Sequence, residues 1–243
     1  MKTLVAIWLS ANLVFAQGIG ARVTGRLGIP TAGGGGSISY TGKSCTANNP
    51  SGSSVTCTWA GGNPAAGENV YCDVAEFNGG VVFTGVTDSA SNTYSTNGSV
   101  FNGGQNSGFA QYQHFYFANL PGTITTTTFN LASPGFYASL LCVSVTGGSG
   151  TPVDGTCTPN TSTGTSSSTT VAITAASTFV YGTISINPTD TITTPGSGYT
   201  FVNTTLGANF QQQYQIFSSS GSKSFGATYN TSTLADLTCA AYK

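Results

Sequence analysis

Charge is what this chain lacks most. Six Lys/Arg, seven Asp/Glu and one histidine are spread over 243 residues. Most chemistry at neutral pH is carried by titratable groups held near partners, so this scarcity closes most catalytic routes before any motif is sought. Basic stripes and polybasic runs are missing too, which excludes electrostatic binding of nucleic acid or of an anionic membrane surface. There is no C-x-x-C, and the single histidine is far in sequence from every cysteine, so neither a zinc site nor any other cofactor is expected. No G-x-S-x-G elbow occurs, and no two carboxylates stand two positions apart. Helical periodicity is absent beyond the first 16 residues. Long apolar runs are absent apart from Leu4–Ala16.

That one run reads as an export signal. Lys2 supplies a short positive region, LVAIWLSANLVFA the apolar one, and Val14 and Ala16 the small residues before a cleavage site. Cleavage after Ala16 leaves Gln17 first, and the apolar run is too short to span a bilayer comfortably. Residues 1–16 are therefore expected as signal peptide and 17–36 as a Gly-rich N-terminal segment. Residues 37–243 are expected as one β-sandwich domain, secreted or held at the cell surface without membrane insertion. The exported chain keeps five Lys/Arg and seven Asp/Glu, a net charge of −2. With 39% apolar and 11% aromatic residues it can still build a core.

All six cysteines follow the signal: Cys45, Cys57, Cys72, Cys142, Cys157 and Cys239. An even number in an exported chain reads as disulfides. Cys45 and Cys57 flank a turn-rich segment and are the expected pair; the other pairings stay open.

Short runs rich in Val, Ile, Thr, Tyr and Phe recur between Gly, Asn, Ser and Pro, from Ser37–Thr41 to Leu234–Tyr242. They predict an all-β, antiparallel sandwich, Ig-like or jelly-roll-like. Residues 147–168, rich in Gly, Ser, Thr and Pro, read as a strap tied down by Cys157. The strap divides two similar halves, about 54–146 and 169–243. Gln111-Tyr112-Gln113-His114-Phe115 matches Gln213-Tyr214-Gln215-Ile216-Phe217, and Cys142 matches Cys239. The expectation is one sandwich whose two halves bury each other's apolar faces.

The segments NPAAGENVYCDVAEF, VTDSASNTYST, QYQHFYFANLPGTITTTTFNL and LADLTCAAYK, in this order, resemble secreted Ig-like β-sandwich proteins common in Acidobacteria. The resemblance covers roughly residues 54–243. Glu68 stands where that group has Asp or Asn, and Ser91 where it has Gly. The resemblance implies fold and export, with no activity to carry over.

Four constellations bear on function. Glu68, Asp73 and Glu76 lack the alternate spacing that would place a glycosidase pair on one strand face; Glu68 reads as the start of a strand, and Asp73 and Glu76 as edge or rim charges. His114, the only available general base, reads as a strand-face residue. By alternation Tyr112, His114 and Tyr116 share one face, with Phe115 and Phe117 on the other. An outward Tyr–His–Tyr row would stack on sugar rings, making polysaccharide a candidate partner. Asp88–Asn92 reads as an Asx-type hairpin turn rather than a calcium loop. Sequons stand at Asn97, Asn160, Asn203 and Asn230. The expected function is a non-enzymatic extracellular structural or adhesion protein, with other surface proteins among its candidate partners; the alternatives are a carbohydrate-binding module and a divergent glycoside hydrolase.

Overall fold

The computed structural model describes residues 37–77, 80–135, 137–202 and 209–243. The expected signal peptide, its cleavage site and the segment 17–36 lie outside the described residues. Residues 35–243 form one compact unit.

Three antiparallel sheets make up that unit. Sheet I is ordered β1 (Ser39–Asn49), β8 (Ala138–Thr146), β3 (Asn69–Glu76), β6 (Gln111–Phe117), β5 (Ser95–Asn102). Sheet II is ordered β2 (Ser54–Thr58), β7 (Thr126–Leu131), β4 (Phe83–Asp88). Sheet III is ordered β10 (Asn160–Ile173), β15 (Gly221–Tyr242), β11 (Thr178–Ile186), β14 (Phe210–Phe217), β13 (Thr200–Phe201). Two further strands, β9 (Val153–Thr156) and β12 (Ile192–Pro195), also pair with β15. A single helical turn, α1 (Gln105–Gly108), precedes β6.

Alternation of side chains explains the layering. Val70, Cys72, Val74, Leu140 and Cys142 point from sheet I toward Val55, Trp59, Val86 and Phe129 of sheet II and its flanks. The intervening Tyr71, Val143 and Val145 point the other way, onto Phe179, Tyr181, Ala240 and Tyr242 of sheet III. Sheet III folds over itself. Val180, Ile184, Leu237 and Cys239 face Val171, Ile173, Ile192, Phe225 and Tyr229, which come from the far ends of β10 and β15 and from β12. The result is two sandwiches joined through sheets I and III. The expected mutual burial of the halves is present, but it is the middle one of three interfaces. Strands β3, β8 and β11 are covered on both faces, and their burial is nearly continuous.

The halves match strand for strand. The order β1-β8-β3-β6-β5 parallels β10-β15-β11-β14-β13, and β2-β7-β4 parallels the outer parts of β10 and β15 with β12. Registers fix the equivalent residues. Cys142 is opposite Cys72 as Cys239 is opposite Gly182, and Tyr71 is opposite Tyr116 as Tyr181 is opposite Tyr214. Tyr116, not Tyr112, is therefore the counterpart of Tyr214. The QYQ match is four residues out of register, and the counterpart of His114 is Gln212 rather than Ile216. Strand pairing sets equivalence, and a repeated tripeptide in a biased composition does not.

The strap reading of 147–168 is also corrected. Within it lie β9 and much of β10, whose Ser and Thr side chains alternate out toward solvent while their backbone pairs with β15. Composition suggested a loop, but hydroxyls on the exposed face of a paired strand have the same composition.

The sulfurs pair as Cys45–Cys57, Cys72–Cys142 and Cys157–Cys239. The expected Cys45–Cys57 pair joins sheet I to sheet II rather than closing a hairpin. Cys157–Cys239 does tie the former strap to the body. In the second half the position of Cys72 is held by Gly182, where any Cβ would run into Cys239 Cβ, at 2.5 Å. Cys239 instead turns to Cys157, whose N–H donates to the Cys239 carbonyl at 2.8 Å.

Candidate functional site: a buried polar seam between the sandwiches

Tyr112, His114 and Tyr116 do share one face of β6, as alternation requires. That face is turned inward. Tyr112 is 2% exposed and His114 4%, while Tyr116 is half-buried. An outward platform for sugar rings is therefore corrected: sheet III covers it. Each member meets β15 in order. The Tyr112 hydroxyl donates to Asp236 Oδ2 at 3.1 Å, His114 Nε2 meets Thr238 Oγ1 at 2.8 Å, and the Tyr116 ring lies 6.2 Å from that of Tyr242. The partner of this row is the last strand of the same chain.

His114 Nδ1 pairs with Asp73 Oδ1, its cross-strand neighbour on β3. The other oxygen, Asp73 Oδ2, accepts from Thr183 Oγ1 on β11 at 2.7 Å. A carboxylate, an imidazole and a hydroxyl thus stand in the order that an acyl-transfer triad uses. Asp73, His114, Thr183 and Thr238 are all buried, which shuts out a dissolved substrate. Such a burial is tolerable because each charge or dipole has a partner. The seam is pseudo-symmetric. Asp73 and Thr183 are equivalent positions that bond each other. His114 reaches Thr238, and its counterpart Gln212 reaches Leu141, the counterpart of Thr238, donating Nε2–H to its carbonyl at 3.3 Å. This is the pattern of an isologous contact, here within one chain.

Asp236 anchors a second part of the seam. Its carboxylate accepts from Gly104 N at 2.8 Å, Gln105 N at 2.9 Å, Thr161 Oγ1 at 2.6 Å and Tyr112. The chain passes so close at Gly103 that a Cβ there would enter the Asp236 carboxylate and come within 2.8 Å of the Tyr112 ring. Burial, and then the charge of Asp236, push the Tyr112 hydroxyl well above its ordinary pKa. Burial, and then the charge of Asp73, do the same to Tyr181 and Tyr242.

Glu68 does stand just before β3, whereas the reading of Asp73 and Glu76 as rim charges is corrected. Glu68, Asp73 and Glu76 are 8%, 2% and 0% exposed. Glu68 is ion-paired with Lys43 at 2.5 Å and accepts from Ser144. Asp73 lies in the seam, whereas Glu76, three positions on, faces the other side toward Gly135. Sequence reasoning missed Asp236 and Thr238, which sit in a strand of small residues; the alternation Asp236, Thr238, Ala240, Tyr242 on one face was the available signal.

Asp88 closes its turn by accepting from Ala90 N at 2.9 Å and Asn92 N at 3.1 Å, with Ser91 at φ 63°. That is the Asx-type turn expected. Sulfur atoms of Cys45, Cys57 and Cys142 lie within 4.8 Å of one another, but all three are engaged in disulfides. Among the sequons Asn97 is 4% exposed and faces the seam, Asn160 is half-buried, Asn230 is exposed, and Asn203 lies outside the described residues. No helix among the described residues is long and apolar enough to cross a membrane. No family model, curated protein or solved structure matches the chain.

Proposed function

We propose that this chain is a non-enzymatic extracellular or cell-surface protein with a structural or adhesive role. One observation carries the reading: the only Asp–His–hydroxyl arrangement among the described residues is spent on holding two sandwiches together. Three disulfides fit an oxidising compartment, where such a module would work. Ser, Thr and amide side chains replace charge on the solvent faces, and they suit contacts with neutral polymers or with other surface proteins. The resemblance to exported Ig-like proteins accords with this role.

Polysaccharide binding is a second reading, but it needs residues other than the covered Tyr112 and His114. Glycoside hydrolysis is not proposed, because Asp73 and Glu76 face opposite sides of β3. The test is a pull-down of the exported form on cell envelopes and on insoluble polysaccharides, beside light scattering at high concentration. Retention on envelopes or self-association supports the role. A strict monomer that binds neither, or a hydrolytic activity lost on His114→Gln, contradicts it.

A further inference from the structure

We propose that the seam matures into a covalent cross-link, an ester between Thr183 Oγ1 and the side-chain carbonyl carbon of Gln212. A buried nucleophile with a base beside it has no access to dissolved substrates, so any acyl group it attacks must belong to its own chain. Thr183 and Gln212 are directly opposite on β11 and β14. Direct cross-strand neighbours hold their Cβ atoms about 4.5–5.5 Å apart. The partners converge from both sheets. Thr183 Oγ1 donates to Asp73 Oδ2 at 2.7 Å, and Gln212 Nε2 donates at 3.3 Å to the carbonyl of Leu141, which is itself opposite Asp73 on sheet I. Gln212 is 0% exposed, and its Oε1 has no hydrogen-bond partner among the described residues. A buried carboxamide oxygen left unpaired calls for an explanation.

The step balances without a co-reactant. Asp73 Oδ2 takes the Thr183 hydroxyl proton while Oγ1 bonds to Gln212 Cδ, placing the negative charge of the tetrahedral intermediate on Oε1. The Tyr181 hydroxyl donates at 3.2 Å to the same Leu141 carbonyl that Gln212 Nε2 meets, and it is the donor that would turn to that charge. The Cδ–Nε2 bond then breaks, the nitrogen takes the proton from Asp73, and ammonia leaves. His114 is a positioning residue, held on the other oxygen of Asp73. No redox change occurs. The dry seam then protects the ester from hydrolysis.

Peptide mapping by mass spectrometry of the folded, exported protein tests this. The expected result is one peptide pair, containing Thr183 and Gln212, joined and lighter by one ammonia, and released by hydroxylamine. Total mass alone is insufficient, since cyclisation of Gln17 loses the same ammonia. Thr183→Ser should keep the link and Thr183→Val abolish it. Separate Thr183 and Gln212 peptides at full mass in the wild-type protein overturn the proposal, whether or not the variants fold.

Discussion

His114 and Gln212 hold the same place in the two halves and reach across the seam in opposite directions, His114 to Thr238 and Gln212 to Leu141. The side that carries imidazole also carries Asp73, and the side that carries the amide has Thr183 in the place of Asp73. A near-symmetric contact has been made complementary by placing acceptor against donor.

That arrangement makes the His114 variants informative. His114→Leu leaves Asp73 with only the Thr183 bond, and removing one partner of a buried pair typically costs about 3–5 kcal/mol. His114→Gln, which copies the other half, keeps a donor for Asp73 and should cost less than half as much. Urea unfolding of the three proteins measures the order; equal losses would show that packing rather than the polar link matters.

Disulfide removal should follow loop length. Cysteine separations are 12 for Cys45–Cys57 and 82 for Cys157–Cys239. Chain-entropy reasoning gives about 3 and about 4.5 kcal/mol for these loops. Paired Cys→Ala variants should therefore rank Cys157/Cys239 as the costlier loss in denaturant titration. Gly182→Ala should also destabilise, because the added methyl strikes Cys239.

Alkali should unfold the protein and expose tyrosine together. Burial raises eight of the 11 tyrosines above their ordinary pKa, among them Tyr71, Tyr94, Tyr181 and Tyr242. Between the unfolded value near 10 and the raised folded values the native state holds more protons, so stability falls as pH rises through that window. Most of the tyrosinate absorbance, that of those eight rings, should appear in one step coincident with loss of circular dichroism. Gradual ionisation of all tyrosines in the intact fold would contradict this.

Acid should act at Asp154. Partial burial pushes its carboxyl up, but hydrogen bonds from Thr174, Ala175 and Thr178 outweigh that and hold it below its ordinary range. A lowered folded pKa gives stability that is present above the unfolded value near 4 and lost as pH falls through the folded one. Asp154→Asn should lower the melting temperature at neutral pH and much less near pH 2. An equal drop at both would exclude the carboxylate as cause.

The fold class, the inward Phe115 and Phe117, the shared face of Tyr112, His114 and Tyr116, and the Cys45–Cys57 pair were legible in the sequence. Alternation and turn chemistry act locally, so they leave local marks. Which way the shared face points was not legible, because its cover is Asp236 and Thr238, 124 residues away from Tyr112 and His114 respectively. Strand β10 was hidden because Ser and Thr serve loops and exposed strand faces alike. The repeat was visible through its cysteines but misaligned through QYQ, since only pairing registers, anchored at Cys142 and Cys239, show that His114 corresponds to Gln212.

Scanning calorimetry of the protein and of its Asp73→Ala variant tests the seam most directly. The structure predicts one cooperative transition for the wild-type protein, because both sandwiches share the Asp73–His114–Thr183–Thr238 contacts. It predicts two separated transitions, each retaining its own disulfide-stapled core, for Asp73→Ala. A variant that melts in one transition at the wild-type temperature would contradict the claim that these residues lock the halves together.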